Sequence, residues 1–107
     1  MILVTGGSGF LGWNLLRAAP AGCAISATFC RHPMDIPHVR WIQMDMDSEE
    51  SIRHAVESVN PRVIIHTAAM KDVDACETNP EMARRMNVRA TEILCDMAAR
   101  QGIRVIF

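Results

Sequence analysis

A doubly wound α/β fold with one parallel sheet follows from three observations on this 107-residue sequence. Short apolar runs alternate with helical patterns along the whole chain, which implies right-handed crossovers between parallel strands. The first run, Ile2-Leu3-Val4, enters a glycine-rich turn, Gly6-Gly7-Ser8-Gly9-Phe10-Leu11-Gly12, that opens a helix. A later run, Val63-Ile64-Ile65, is apolar without alternation, as in a strand buried on both faces.

The glycine turn organises the rest. Gly7, Gly9 and Gly12 stand in G-x-G-x-x-G spacing, while Gly6, Gly9 and Gly12 stand in G-x-x-G-x-x-G spacing. The physics is the same under either count. Glycines let the backbone approach a pyrophosphate closely, and the new helix turns its unpaired N–H groups and positive dipole end toward the anion. A bare glycine pattern is weak, but one that leaves a strand and opens a helix is the context a dinucleotide site requires. The expected architecture is Rossmann-type, with five strands in order 3-2-1-4-5 and a ligand crevice between strands 1 and 4. Gly6, Gly9, Phe10, Leu11 and Gly12 are the candidate cofactor residues of this turn.

The first helix carries Leu15, Leu16, Ala18 and Ala19 toward the core and stops near Pro20-Ala21-Gly22. Ala24 to Phe29 reads as the second strand. An acidic residue at its end would bond the adenosine ribose hydroxyls, but the chain offers Cys30-Arg31-His32 there. Arg31 is suited to a 2′-phosphate, which favours NADP over NAD; the plainer alternative is a solvated surface arginine. His32 reads as surface. A turn-rich connection, Pro33 to His38, leads to a third strand over Val39 to Met44, with Val39, Trp41 and Gln43 on one face. Beyond it, Asp45 is placed to accept from an adenine amino group while Met46 packs on the ring. Asp47 or Ser48 caps the next helix, whose apolar positions are Ile52, Ala55, Val56 and Val59, and Asn60-Pro61 ends it.

The fourth strand, Arg62 to Ala69, runs into small residues, and Ala68-Ala69 leave room for a cofactor at the sheet edge. His66 at the strand end reads as a structural histidine bonded to backbone. A polar connection, Lys71 to Glu77, precedes a helix over about Pro80 to Gln101, capped by Thr78 or Asn79. At 1.5 Å per residue it would span roughly 30 Å. Met82, Met86, Ala90, Ile93, Leu94, Met97 and Ala98 form its apolar stripe, with polar Asn87 beside it. Gly102 ends the helix and Ile103 to Phe107 starts a fifth strand.

Half the residues are apolar and 21% are charged, the balance of a globular domain. A net charge of −1 gives no electrostatic case for nucleic acid or an anionic membrane. No apolar run approaches the ~20 residues of a membrane span, and the N-terminus reads as a core strand, not a basic-led signal peptide. Cys23, Cys30, Cys76 and Cys95 show no metal spacing, so no metal site is expected. They read as mostly buried thiols of a reducing cytoplasm.

These residues resemble a known family, the extended short-chain dehydrogenase/reductases of the NAD-dependent epimerase/dehydratase superfamily. Thr5 to Gly12 matches their TGGxGFxG turn, and Asp45-Met46 resembles their adenine-contacting pair. His66-Thr67-Ala68-Ala69 is similar to the HxAA end of their fourth strand. Asn87-Val88-Arg89-Ala90-Thr91 looks like their NVxGT helix, with alanine where glycine is usual. Val73-Asp74-Ala75-Cys76-Glu77 looks most like the dTDP-4-dehydrorhamnose reductase branch. The resemblance spans the chain and implies hydride transfer between a nicotinamide, NADP with NAD as the alternative, and a nucleotide-linked sugar. It also implies a Tyr-x-x-x-Lys pair, with Asn87 in a supporting role. The 107 residues contain no tyrosine.

Residues 1–107 are therefore expected to be an NAD(P)-binding Rossmann domain, the N-terminal part of a larger family domain ending after strand five. The substrate-binding region is expected to lie outside them, and the piece alone to be catalytically inactive. A non-catalytic NADP-binding regulatory subunit, like that of methionine adenosyltransferase, is the alternative on the same resemblance. A poorly folding remnant with an apolar edge at strand five is a third. The family pattern is also compatible with a homodimer.

Overall fold

The computed structural model describes residues 1–107. Its strands are β1 (Ile2–Thr5), β2 (Ile25–Phe29), β3 (Arg40–Gln43), β4 (Val63–His66) and β5 (Arg104–Ile106). Its helices are α1 (Phe10–Ala18), α2 (Glu49–Val59), α3 (Val73–Thr78), α4 (Pro80–Arg84) and α5 (Ala90–Gln101), with a π-helical segment, Arg85–Arg89, between the last two. All pairings are parallel and the order is β3-β2-β1-β4-β5, the order expected of a Rossmann-like sheet. β1 lies in the middle, with Leu3 opposite Ile64 and Thr5 opposite His66.

The two sheet faces are covered unequally. On one, Leu3 and Ile64 pack with Ile52 and Val56 of α2 and with Leu94 and Met97 of α5, all fully buried or nearly so. On the other, only Val4, Ala27 and Leu16 of α1 are buried, with Ile2, Ile25, Val39, Trp41 and Ile65 half-buried around them. The helix ends follow local chemistry. Ser48 caps α2 by accepting from the Ser51 N–H, while Asp47 instead pairs with Arg85 at 2.7 Å. Asn79 caps α4 with Pro80 in its first turn, and Gly102 closes α5 at φ 67°.

Several expectations need correction. The connection after Lys71 is not wholly irregular: Asp72 accepts from the Ala75 N–H and so nucleates α3. The helix over Pro80 to Gln101 is not one regular cylinder. In its π segment the Ala90 N–H donates to the Arg85 carbonyl, five residues back, which inserts one residue into the helical count. Met82 and Met86 are only half-buried, so the buried stripe begins at Ala90. Ala18, the last residue of α1, is exposed, so the buried side of the helix ends at Leu16. The thiols are not mostly buried either: Cys23 and Cys30 sit in exposed strand-end loops, and Cys76 and Cys95 are intermediate.

Candidate functional site

A cavity of about 390 Å³ lies over the carboxyl ends of β1, β2 and β4, within the usual size of a small-molecule site. Gly6, Ser8 and Gly9 form its floor with Phe10, Leu11 and Gly12 from the first turn of α1. Thr28, Phe29 and Cys30 line the β2 side and Met44 and Met46 the β3 side. Thr67, Ala68, Ala69 and Lys71 close the β4 side, and Met86 reaches in from the π segment.

The glycines do different jobs. Gly6 has φ +69°, and a Cβ there would lie 2.7 Å from the Ala68 Cα. A Cβ on Gly12 would lie 2.3 Å from the Gly6 carbonyl oxygen, so α1 can pass this close to β1 only without a side chain. Gly7 is buried beneath the turn, where a Cβ would meet the Ala27 Cβ at 2.6 Å. Gly9 meets only the Gly6 carbonyl oxygen, at 3.1 Å, and otherwise faces the cavity. It is therefore the Gly6, Gly9, Gly12 spacing that lines the space, while Gly7 packs the turn on β2.

The turn is pinned from behind and open in front. The Gly6 N–H donates to the Thr28 hydroxyl at 3.1 Å, and the Gly9 N–H donates to the Gly6 carbonyl at 2.9 Å. The N–H groups of Phe10, Leu11 and Gly12 have no partner in the protein, and α1 has no capping side chain and no acidic residue in its first turn. By contrast, α2 carries Ser48, Glu49 and Glu50 at the same place. A free N-terminus of this kind holds an anion.

The side chains flanking the strand ends form one hydrogen-bonded system. The Thr5 hydroxyl is 2.6 Å from His66 Nδ1, and His66 Nε2 is 3.0 Å from the Thr91 hydroxyl. His66 is thus held by side chains of β1 and α5, not by backbone as expected, because Thr5 stands directly opposite it in the sheet. Burial pushes its pKa below the ordinary value. Asn87 closes on the loop after β4: its Oδ1 accepts from the Met70 N–H at 2.7 Å and its Nδ2 donates to the Met70 carbonyl at 2.9 Å. Both ends of its amide are committed to holding that loop.

Two sequence candidates stand off the cavity. Asp45 is exposed and does not line it; its Oδ1 accepts from the Asp47 N–H at 2.9 Å, shaping the turn before α2. Arg31 is exposed, one residue beyond the lining Cys30, and pairs with no carboxylate. Met46 does line the cavity, although it is also part of the core. Lys71 is the residue sequence reasoning passed over. It is the only charged side chain on the lining and also makes no ion pair. Nothing in its spacing along the chain marked it.

An all-parallel sheet in this order, with an open glycine turn at its central strand, defines a Rossmann-like α/β protein with an anion-ready crevice. The chain belongs to the family described as the RmlD substrate binding domain, which matches residues 1–107. It is 33% identical over 106 residues to dTDP-4-dehydrorhamnose reductase of Escherichia coli, covering 98% of this chain and 33% of that protein. It is 29% identical over 116 residues to methionine adenosyltransferase 2 subunit beta of Xenopus laevis, covering 98% of this chain and 30% of the other. Among solved structures it is similar to the Bordetella bronchiseptica enzyme WbmG in complex with NAD and UDP. That match has a TM-score of 0.79 and 26% identity, and covers 97% of this chain and 35% of that one. The chain spans about a third of the length of the curated relatives it matches.

Proposed function

We propose that residues 1–107 are the dinucleotide-binding part of an NADP-dependent oxidoreductase that reduces a nucleotide-linked keto-sugar; the relatives' name, dTDP-4-dehydrorhamnose reductase, supports the reduction and the sugar. The observation that carries it is the open turn: three unpartnered N–H groups, at Phe10, Leu11 and Gly12, above glycines whose missing side chains leave the approach clear. Gly6, Gly9 and the α1 N-terminus hold the pyrophosphate. Met44 and Met46 give the adenine an apolar wall, with Asp45 reaching its amino group from the rim. Ala68 and Ala69 leave room on the β4 side for the second nucleotide. Arg31 meets a 2′-phosphate beyond the end of β2. When bound, the nicotinamide donates a hydride to a carbonyl carbon or takes one back. Asn87 acts at a distance, by fixing the loop at Met70. The proton donor and the sugar-binding surface lie outside these residues in this reading, since the 107 residues contain no tyrosine. They do not catalyse the reaction alone.

A second reading has one specific observation behind it, the similarity to methionine adenosyltransferase 2 subunit beta. In this second reading the crevice of this chain binds NADP without turnover, and the chain serves as a regulatory subunit. Because residues 1–107 do not turn over alone in either reading, one experiment on the longer protein that the reading makes them part of separates the two. Titration with NADPH and NADH measures binding, and loss of NADPH absorbance with dTDP-4-dehydrorhamnose measures turnover. Binding with turnover supports the reductase, and binding without it supports the regulatory subunit. Failure to bind either dinucleotide at millimolar concentration overturns both.

A further inference from the structure

The hydrogen bonds around His66 leave every group satisfied in one direction only. The Thr5 hydroxyl is fully buried and has two partners, the Ala68 N–H at 3.3 Å and His66 Nδ1 at 2.6 Å. An amide N–H can only donate, so the hydroxyl accepts from Ala68, and its own proton has Nδ1 as its acceptor. The other end of the ring agrees. The Thr91 hydroxyl donates to the Asn87 carbonyl at 2.9 Å, since a carbonyl can only accept, and it must then accept from His66 Nε2 at 3.0 Å. The arrangement that satisfies all of these groups has His66 as the neutral tautomer with its proton on Nε2.

We propose that His66 is a positioning residue for the cavity, linking the end of β1, the Ala68 edge and the π segment through this single tautomer. The link is physical at each step. Thr5 immediately precedes Gly6, whose backbone turns into the cavity floor, and its hydroxyl holds the Ala68 N–H on the opposite wall. Thr67 adds a second tie, donating from its hydroxyl to the Thr5 carbonyl at 2.7 Å. Thr91 passes the ring's bond to the carbonyl of Asn87, whose side chain clamps Met70. A doubly protonated ring would present Nδ1–H to Thr5 together with the Ala68 N–H. The buried Thr5 proton would then have no acceptor, which is the expensive outcome for a polar group out of water. The groups bonded to the ring, Thr5 from β1 and Thr91 from α5, do not ionise. Burial alone opposes its protonation, with no charged side chain contributing.

The inference rests on the dinucleotide reading for its binding arm but not for its spectroscopic one. The test is nitrogen NMR of the imidazoles in the full chain, together with NADP+ affinity across pH 5 to 8 (~3 units). The expected spectrum has Nε2 protonated and Nδ1 bare. NADP+ affinity is expected to fall as His66 gains its second proton, below its ordinary value of 6.5. His66→Gln, which cannot ionise, is expected to remove that part of the pH dependence and leave only the ligand's own titration. Thr91→Val, which removes the hydroxyl's bonds to both His66 and the Asn87 carbonyl, is expected to leave the proton on Nε2 but weaken NADP+ about five-fold, and Thr91→Ser to restore the affinity. A proton on Nδ1, or a His66→Gln profile equal to that of the parent, overturns the proposal while leaving dinucleotide binding intact. A chain that binds neither NADP+ nor NAD+ at any pH overturns the dinucleotide reading and this role with it, whatever the tautomer.

Discussion

Two cations frame the candidate site, and they should behave differently. Arg31 lies past the end of β2 and off the cavity, whereas Lys71 is the one charged group on the cavity wall. Arg31→Ala is expected to weaken NADPH by about ten-fold and NADH hardly at all, the value of one charge-assisted contact. Equal losses for the two would sink the NADP assignment. Lys71→Gln is expected to weaken both dinucleotides several-fold and to flatten the salt dependence of binding; a titration at two ionic strengths checks it. His66 carries a third expectation, on stability. Burial lowers its folded pKa, so between 6.5 and that lower value the unfolded chain binds more protons than the folded one. Stability should therefore fall as pH drops from 6.5 into this window and level off below it. Urea midpoints of the parent and of His66→Gln, compared at pH values on both sides of 6.5, read this directly.

At the scale of elements, the glycine turn separates fold from binding within four residues. Gly12→Ala places a methyl group 2.3 Å from the Gly6 carbonyl oxygen and 2.7 Å from the Gly7 Cα, all backbone with no flexible side chain to move aside. It is expected to cost roughly 1–3 kcal/mol or more, as α1 is forced off β1. Gly9→Ala meets one oxygen at 3.1 Å and has φ −80°, which alanine adopts freely. It should leave the denaturation midpoint nearly unchanged and still weaken dinucleotide, since its methyl group points into the cavity. A midpoint lost equally in both variants would show the turn to be structural throughout. The π segment is the other element where geometry and site meet. Its extra residue accompanies the turn that carries Met86 to the cavity and Asn87 to Met70. The ion pairs of Arg85 with Asp47 and of Arg89 with Glu49 tie the segment to the start of α2.

Across the whole molecule, protection should follow the unequal covering of the sheet. Leu3 and Ile64 are completely buried at the centre, while β5 is a three-residue edge strand with Ile106 50% exposed and Phe107 85% exposed. Amide exchange in the full chain is expected to be slowest in β1 and β4 and faster by orders of magnitude in residues 30–38, which contain no helix or strand. Uniform protection across those regions would contradict this distribution. The chain contains no helix long and apolar enough to cross a membrane.

The sequence by itself determined the fold class, the strand order and the place of the glycine turn. Each depends on local signals: apolar runs too short for helices, glycines at fixed spacing, and caps such as Ser48, Asn79 and Gly102 that act within a few residues. Only tertiary structure decided the rest. The π segment keeps a helical apolar period on both sides, so no periodicity reports it; its bonds to Met70 arise from a loop 17 residues away. The partners of His66 lie 61 residues before it and 25 after it, and only the parallel register of β1 and β4 brings Thr5 opposite the ring. Lys71 on the lining, and Asp45 and Arg31 off it, were equally illegible. Where a side chain lies relative to a cavity depends on how the strand ends fan out, and spacing along the chain does not encode it.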